Sequence, residues 1–163
     1  HMIIEAIHRI NDKSYHLSIV GPAPNEKYFK ELKDLIDKSD LQNQVSLIGP
    51  VDRESVKDYY STSNLMILPS ISEGLARVIF ESQVAMCPVL VTDAPGMSDI
   101  VIDGQTGYVF KSNNLDSLSL KIEYIKNNYD EASLVAKNAK GFILSNYSED
   151  NFKFSFKKLF DTV

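Results

Sequence analysis

Two rhythms of apolar and polar positions run along the chain. Short apolar runs, each closed by a turn signal, alternate with stretches in which apolar residues recur every three or four positions. The runs cover residues 15–20 (YHLSIV, closed by Gly21-Pro22), 45–48 (VSLI, closed by Gly49-Pro50) and 65–68 (LMIL, closed by Pro69-Ser70). Two more cover residues 88–92 (PVLVT, closed by Asp93) and 107–110 (GYVF, closed near Ser112-Asn113). They are mostly continuous rather than alternating, which predicts strands buried on both faces. Helical stripes lie between and after them: Tyr28, Phe29, Leu32, Leu35 and Ile36; Val56, Tyr59 and Tyr60; Leu115, Leu118, Ile122 and Ile125; Leu134, Val135, Phe142 and Ile143. A last stripe, from about Glu149, presents Phe152, Phe156, Leu159 and Phe160.

This order predicts an α/β domain, a Rossmann-like parallel sheet flanked by helices and joined by right-handed crossovers. Ligands of such sheets bind beyond the carboxyl ends of the strands. The loops 21–25, 49–52, 69–74 and 93–98 are therefore expected to open onto one edge.

Composition narrows the function classes. The 163 residues are 44% apolar and 24% charged, with a net charge of −5. That is enough chain for one domain with a sizeable core, and it lacks the basic stripe a nucleic-acid footprint needs. Cys87 is the only cysteine; inside VAMCPVLV it reads as a buried small hydrophobe. His1, His8 and His16 have no metal-ligand spacing, so no metal site is assigned. Neither a membrane-length apolar run nor a signal peptide is visible, and a cytoplasmic protein is expected. His1-Met2 reads as a cloning remnant and is set aside. Residues 3–163 then begin inside an amphipathic helical pattern, IIEAIHRI, with no N-cap before it, which suggests a piece of a longer protein.

The stretch LPSISEGLARVIFE, residues 68–81, carries the candidate chemistry. Glu73 falls in a strand-to-helix loop at the ligand edge, and Glu81 about two turns into the following helix. Eight helical residues span about 12 Å, too far for a retaining glycosidase pair at roughly 5 Å. The spacing suits two ends of one elongated ligand, with the helix N-terminus between them offering N–H groups to an anion. Spacing alone proves little, since Glu123 and Glu131 share it. A bland alternative stays open: Ser72 caps the helix, Glu73 answers its dipole, and Glu81 is a solvated face residue.

PSISEG, the second acid, and PVLVTDAPGMSDIVIDGQTGYVF together resemble the donor-binding half of family-four glycosyltransferases of the GT-B fold. The family pattern is roughly P-S-x-x-E-G-F-G-x-x-x-x-E-A-x-A-x-G-x-P-V, then G-G-x-x-E-I-V-x-D-G-x-x-G. The likeness runs from LSIVG into the C-terminal helices. It implies transfer of a sugar from a nucleotide diphosphate sugar with retention of configuration, without a cofactor or metal motif. By the same resemblance Glu73 contacts the transferred sugar, catalysis being mainly positioning and leaving-group stabilisation. Glu81 holds the ribose hydroxyls. Gly74 and the backbone of Leu75, Ala76 and Arg77 surround sugar and phosphates. Pro50 and Val51 meet the base, and Gly21 and Pro22 line the cleft between domains.

Departures accompany the match. Leu75-Ala76 replaces Phe-Gly, and Arg77 stands where an apolar residue is usual. An arginine in the first helical turn opposes the dipole, unless it pairs with Glu73 or touches the diphosphate. Cys87 stands where a glycine or nearby small residue is common, and Asp99 where glutamate is usual. The family's Gly-Arg strand and Lys-Gly turn would precede Ile3, and the N-terminal acceptor domain is absent too. The chain is thus expected to be the C-terminal half of a GT-B fold lacking its first strand, catalytically silent alone and a weak nucleotide binder. Either neighbouring strands close the gap, or N-terminal residues or another chain fill it. Exposed aromatics of the last helix would favour self-association. Peripheral membrane association, at the cytoplasmic face, would come only through the missing part. A dinucleotide dehydrogenase does not fit, because GPAPNEKY lacks G-x-G-x-x-G, nor do the motifs of a nucleotide-sugar 2-epimerase. The alternative is a non-catalytic module of the same fold that binds a nucleotide sugar or a partner.

Overall fold

The computed structural model describes residues 1–74, 76–97 and 100–147. The elements run α1 (Met2–Ile10), β1 (Leu17–Val20), α2 (Glu26–Lys38), β2 (Val45–Gly49), α3 (Arg53–Thr62), β3 (Met66–Leu68), α4 (Arg77–Val84) and β4 (Val89–Thr92). β5 (Tyr108–Phe110), α5 (Leu115–Asn127) and α6 (Tyr129–Asn146) complete the order. All strand pairings are parallel. The proposed last helix lies outside the described residues, as do Leu75, Ser98 and Asp99.

The strands form two sheets, β1-β2 and β3-β4-β5. A doubly wound sheet has the order 3-2-1-4-5-6. Removing strand 1 leaves a pair and a triplet, which is the division found. Among the described residues neither β1 nor β3 pairs across the gap, so the neighbours have not closed up. Nor do the N-terminal residues fill it: they form a helix that packs on α5 and on β1-β2. Met2, set aside on sequence grounds, is the first residue of α1 and packs against the main core.

The expectation of strands buried on both faces holds for one of the five. All four residues of β4 are buried, because helices cover both faces of the triplet around it. β1 alternates between half-buried and exposed, and Val20 and Ile48 reach solvent at 37% and 38% exposure. Leu17, Ile19 and Leu47 pack with residues of α1 and α2, while Val20 and Ile48, on the other side of that sheet, join no core cluster among the described residues. The run is apolar on both sides, but the described structure buries one.

Three helices that follow strands are capped by the residues their loops supply. Asn25 accepts from the Tyr28 N–H at 2.8 Å, Asp52 from Ser55 at 2.8 Å, and Asn114 from Ser117 at 2.8 Å. Each such cap contributes about 1 kcal/mol. The backbone bond to Ser55 holds the Asp52 carboxyl below its ordinary value. α6 corrects one stripe: Leu134 is 59% exposed, and the buried face is Ala132, Val135, Ala136, Ala139 and Ile143. Small residues carry that face, and they let α6 lie close against α4. None of the described helices is long and apolar enough to cross a membrane.

Candidate functional site

The loop after β3 is held in place from three sides. Thr92, buried at the end of β4, donates its hydroxyl to the Ser70 carbonyl at 2.5 Å. Ser70 donates its own hydroxyl to Glu73 Oε1 at 2.7 Å. Gly96, at φ 88°, lies directly under Glu73, and a side chain there would collide with the Glu73 carbonyl oxygen. Only glycine combines that positive φ with that approach at no steric cost. Glu73 is half-buried, and among the described residues its second carboxylate oxygen has no partner. Gly74 is exposed, and a Cβ there would meet nothing within 4 Å.

α4 begins at Arg77, later than the sequence suggested. Its N-cap is Ala76, which offers no side-chain bond, so Ser72 does not cap the helix. Glu81 accordingly lies about one turn in, not two, and the 12 Å helical estimate does not describe its separation from Glu73. Arg77 is exposed, and among the described residues it makes no ion pair with Glu73, one of whose carboxylate oxygens accepts from Ser70. Glu81 accepts a long hydrogen bond, 3.4 Å, from the Tyr60 hydroxyl of α3. Burial, then the nearby Glu81 charge, pushes the Tyr60 phenol up to about 12.

The other expected residues lie at the ends of β1 and β2. Gly21 donates its N–H to the Gly49 carbonyl at 2.9 Å, which ties the Gly21-Pro22 turn to the Pro50-Val51 turn. Both glycines have positive φ. The two groups stand on separate sheets, and α3 spans between them: it starts beside Val51 and ends with Tyr60 against Glu81. Sequence reading missed Ser70, Thr92, Gly96 and Tyr60. The signal for Tyr60 was present in its stripe on α3, but a half-buried tyrosine there reads first as packing.

α4 ends in a Schellman motif. The Cys87 N–H bonds the Ser82 carbonyl at 3.0 Å and the Met86 N–H bonds Gln83 at 3.0 Å, with Met86 left-handed at φ 60°. Counted from Glu81, the glycine of the family pattern falls on Met86, not on Cys87 as first placed. Cys87 is buried, its thiol directed at the Ser63 carbonyl.

Parallel strands of Rossmann type flanked by helices, with Glu73 in a strand-end loop and Glu81 one turn into the next helix, define an α/β class whose ligands bind beyond the carboxyl ends of the strands. The chain belongs to the family described as glycosyl transferases group 1, which it matches over residues 1–151. It has the fold of a GT-B C-terminal domain. It is 28% identical over 136 residues to an uncharacterised glycosyltransferase of Methanocaldococcus jannaschii, covering 83% of this chain and 38% of the relative. To the capsular polysaccharide biosynthesis glycosyltransferase CapM of Staphylococcus aureus it is 25% identical over 153 residues, covering 91% and 38%. The crystal structure of Anabaena HepE in complex with UDP superposes with a TM-score of 0.90 at 21% identity, covering all of this chain and 45% of that one. The chain thus spans less than half the length of each of these proteins.

Proposed function

We propose that this chain is the donor-binding half of an enzyme that transfers a sugar from a nucleotide diphosphate sugar with retention of configuration. One observation carries the reading: Glu73 and Glu81 flank the start of α4, the strand-following helix that no described side chain caps. Its partial positive charge favours an anion by about 0.3–1 kcal/mol, more where the site is partly buried. A diphosphate set there would leave a sugar toward Glu73 and a ribose toward Glu81. Gly74, Leu75, Ala76 and Arg77 then line the phosphates and sugar, Pro50 and Val51 the base, and Gly21 and Pro22 the cleft. Arg77, free of any ion pair with Glu73, is available to the diphosphate.

Support for the donor class comes from the Anabaena neighbour, solved with UDP and with UDP-glucose. Support for a glycan product comes from CapM. On this reading the acceptor is bound by another domain, the reaction is cytoplasmic, and the 163 residues alone do not turn over.

Titration of the chain with UDP, GDP and ADP by calorimetry tests the assignment. One nucleotide should bind in preference, and Glu81→Ala should weaken it about tenfold through loss of charged hydrogen bonds to the ribose. Equal binding of all three, unaffected by Glu81→Ala, refutes the site.

A further inference from the structure

The Ser70 hydroxyl could satisfy itself with water or backbone; instead it donates to the Glu73 carboxylate three residues on. That bond occupies one oxygen and fixes the torsions that aim the other. The free oxygen has no partner among the described residues, and at the neighbouring Gly74 a Cβ would meet nothing within 4 Å. Meanwhile the Ser70 backbone is anchored separately, its carbonyl taken by Thr92. Loop position and carboxylate direction are therefore set by two different bonds of one residue.

We propose that Ser70 is a positioning residue for Glu73: its hydroxyl presets the carboxylate so that the remaining oxygen meets a hydroxyl of the donor's sugar. The proposal rests on the reading of Glu73 as the sugar contact. A hydroxyl that aims an acid lowers the reorganisation needed on binding, and it acts on the sugar half of the ligand alone. Thr92 holds the loop as a body and should act on both halves.

The test compares affinities of the chain for UDP-glucose and UDP, or for GDP-mannose and GDP if the nucleotide screen selects guanine. Ser70→Ala should weaken the nucleotide sugar about three- to tenfold, the worth of one net hydrogen bond, while changing the bare nucleotide less than about twofold. Ser70→Thr, which keeps the hydroxyl, should restore the difference. Thr92→Val should weaken both ligands together. If Ser70→Ala weakens both equally, or neither, Ser70 does not position the acid and the proposal is overturned. If Glu73→Ala itself leaves the ratio of the two affinities unchanged, or neither nucleotide binds, the functional reading fails and the proposal goes with it. Urea midpoints of every variant separate lost folding from lost aim.

Discussion

The backbone of Glu73 rests on Gly96: the Glu73 carbonyl carbon lies 3.1 Å from the point where a Cβ on residue 96 would stand. The acid expected to address the sugar is thus located partly by a residue in the next strand's loop. Gly96→Ala should shift the 69–74 loop and strain a left-handed position, costing about 1–3 kcal/mol. A lowered urea midpoint, with nucleotide-sugar affinity falling alongside, is the expected result. Unchanged stability would mean that the contact gives way easily.

The element order was legible because each strand is a compact apolar run ended by glycine, proline or aspartate. All five strands and α2, α3, α5 and α6 fall where periodicity puts them. What was not legible depends on neighbours in space. Val20 and Ile48 are as apolar as Ile19 and Leu47, yet they face the side of the sheet that the described residues leave exposed. Leu134 outranks Ala136 on any apolar scale, yet close helix packing favours alanine and turns the leucine to solvent. Within the candidate site, Glu73 and Glu81 stand out by motif and by the loop that holds the first of them. Ser70, Thr92, Gly96 and Tyr60 matter through contacts across 3 to 23 positions of chain, which spacing does not encode.

Met86 is a stability defect with a simple repair. It holds a left-handed conformation at the C′ position of α4 and is 50% exposed, so its side chain recovers little of the cost. A non-glycine residue there costs about 1–2 kcal/mol, while glycine adds about 0.5–1 kcal/mol of unfolded-chain entropy. Met86→Gly should therefore raise stability by up to about 1 kcal/mol, read as a higher urea midpoint with an unchanged slope. A lower midpoint would show that the buried half of the methionine side chain contributes more than the left-handed backbone costs.

Cys87 should be inert in the native chain. Burial pushes its thiol up to about 11, so thiolate is scarce at neutral pH. A thiol reagent at pH 8 should label it only as the chain unfolds, at a rate that rises with urea. The sign of the pH effect follows from the raised value. Below the unfolded thiol's pKa, about 8.5, the contribution to stability is complete. It is lost as pH rises towards 11, because the unfolded state releases its proton first. Cys87→Ala should remove this share of the alkaline loss. The tyrosines at 15, 60 and 108, pushed up to about 12 chiefly by burial, keep theirs at higher pH.

An acid limb should come from Asp12. Lys126, near the end of α5, bonds its carboxylate, and the Ser14 N–H adds a second bond at 2.9 Å. Lys126 also lies 4.3 Å from the centre of the Tyr15 ring, so the pair ties the turn after α1 to the last turn of α5. These bonds, the one from Lys126 first, lower the Asp12 carboxyl to about 2. A depressed carboxyl stabilises above its unfolded value, near 3.9, and that contribution disappears as pH falls through about 2. Thermal midpoints of the parent and of Asp12→Asn should therefore converge as pH falls from about 4 to about 2. The pair is exposed, so the difference at neutral pH should be small and should shrink further in about 1 M salt. If the two proteins lose stability in parallel through that window, Asp12 is not the group that titrates.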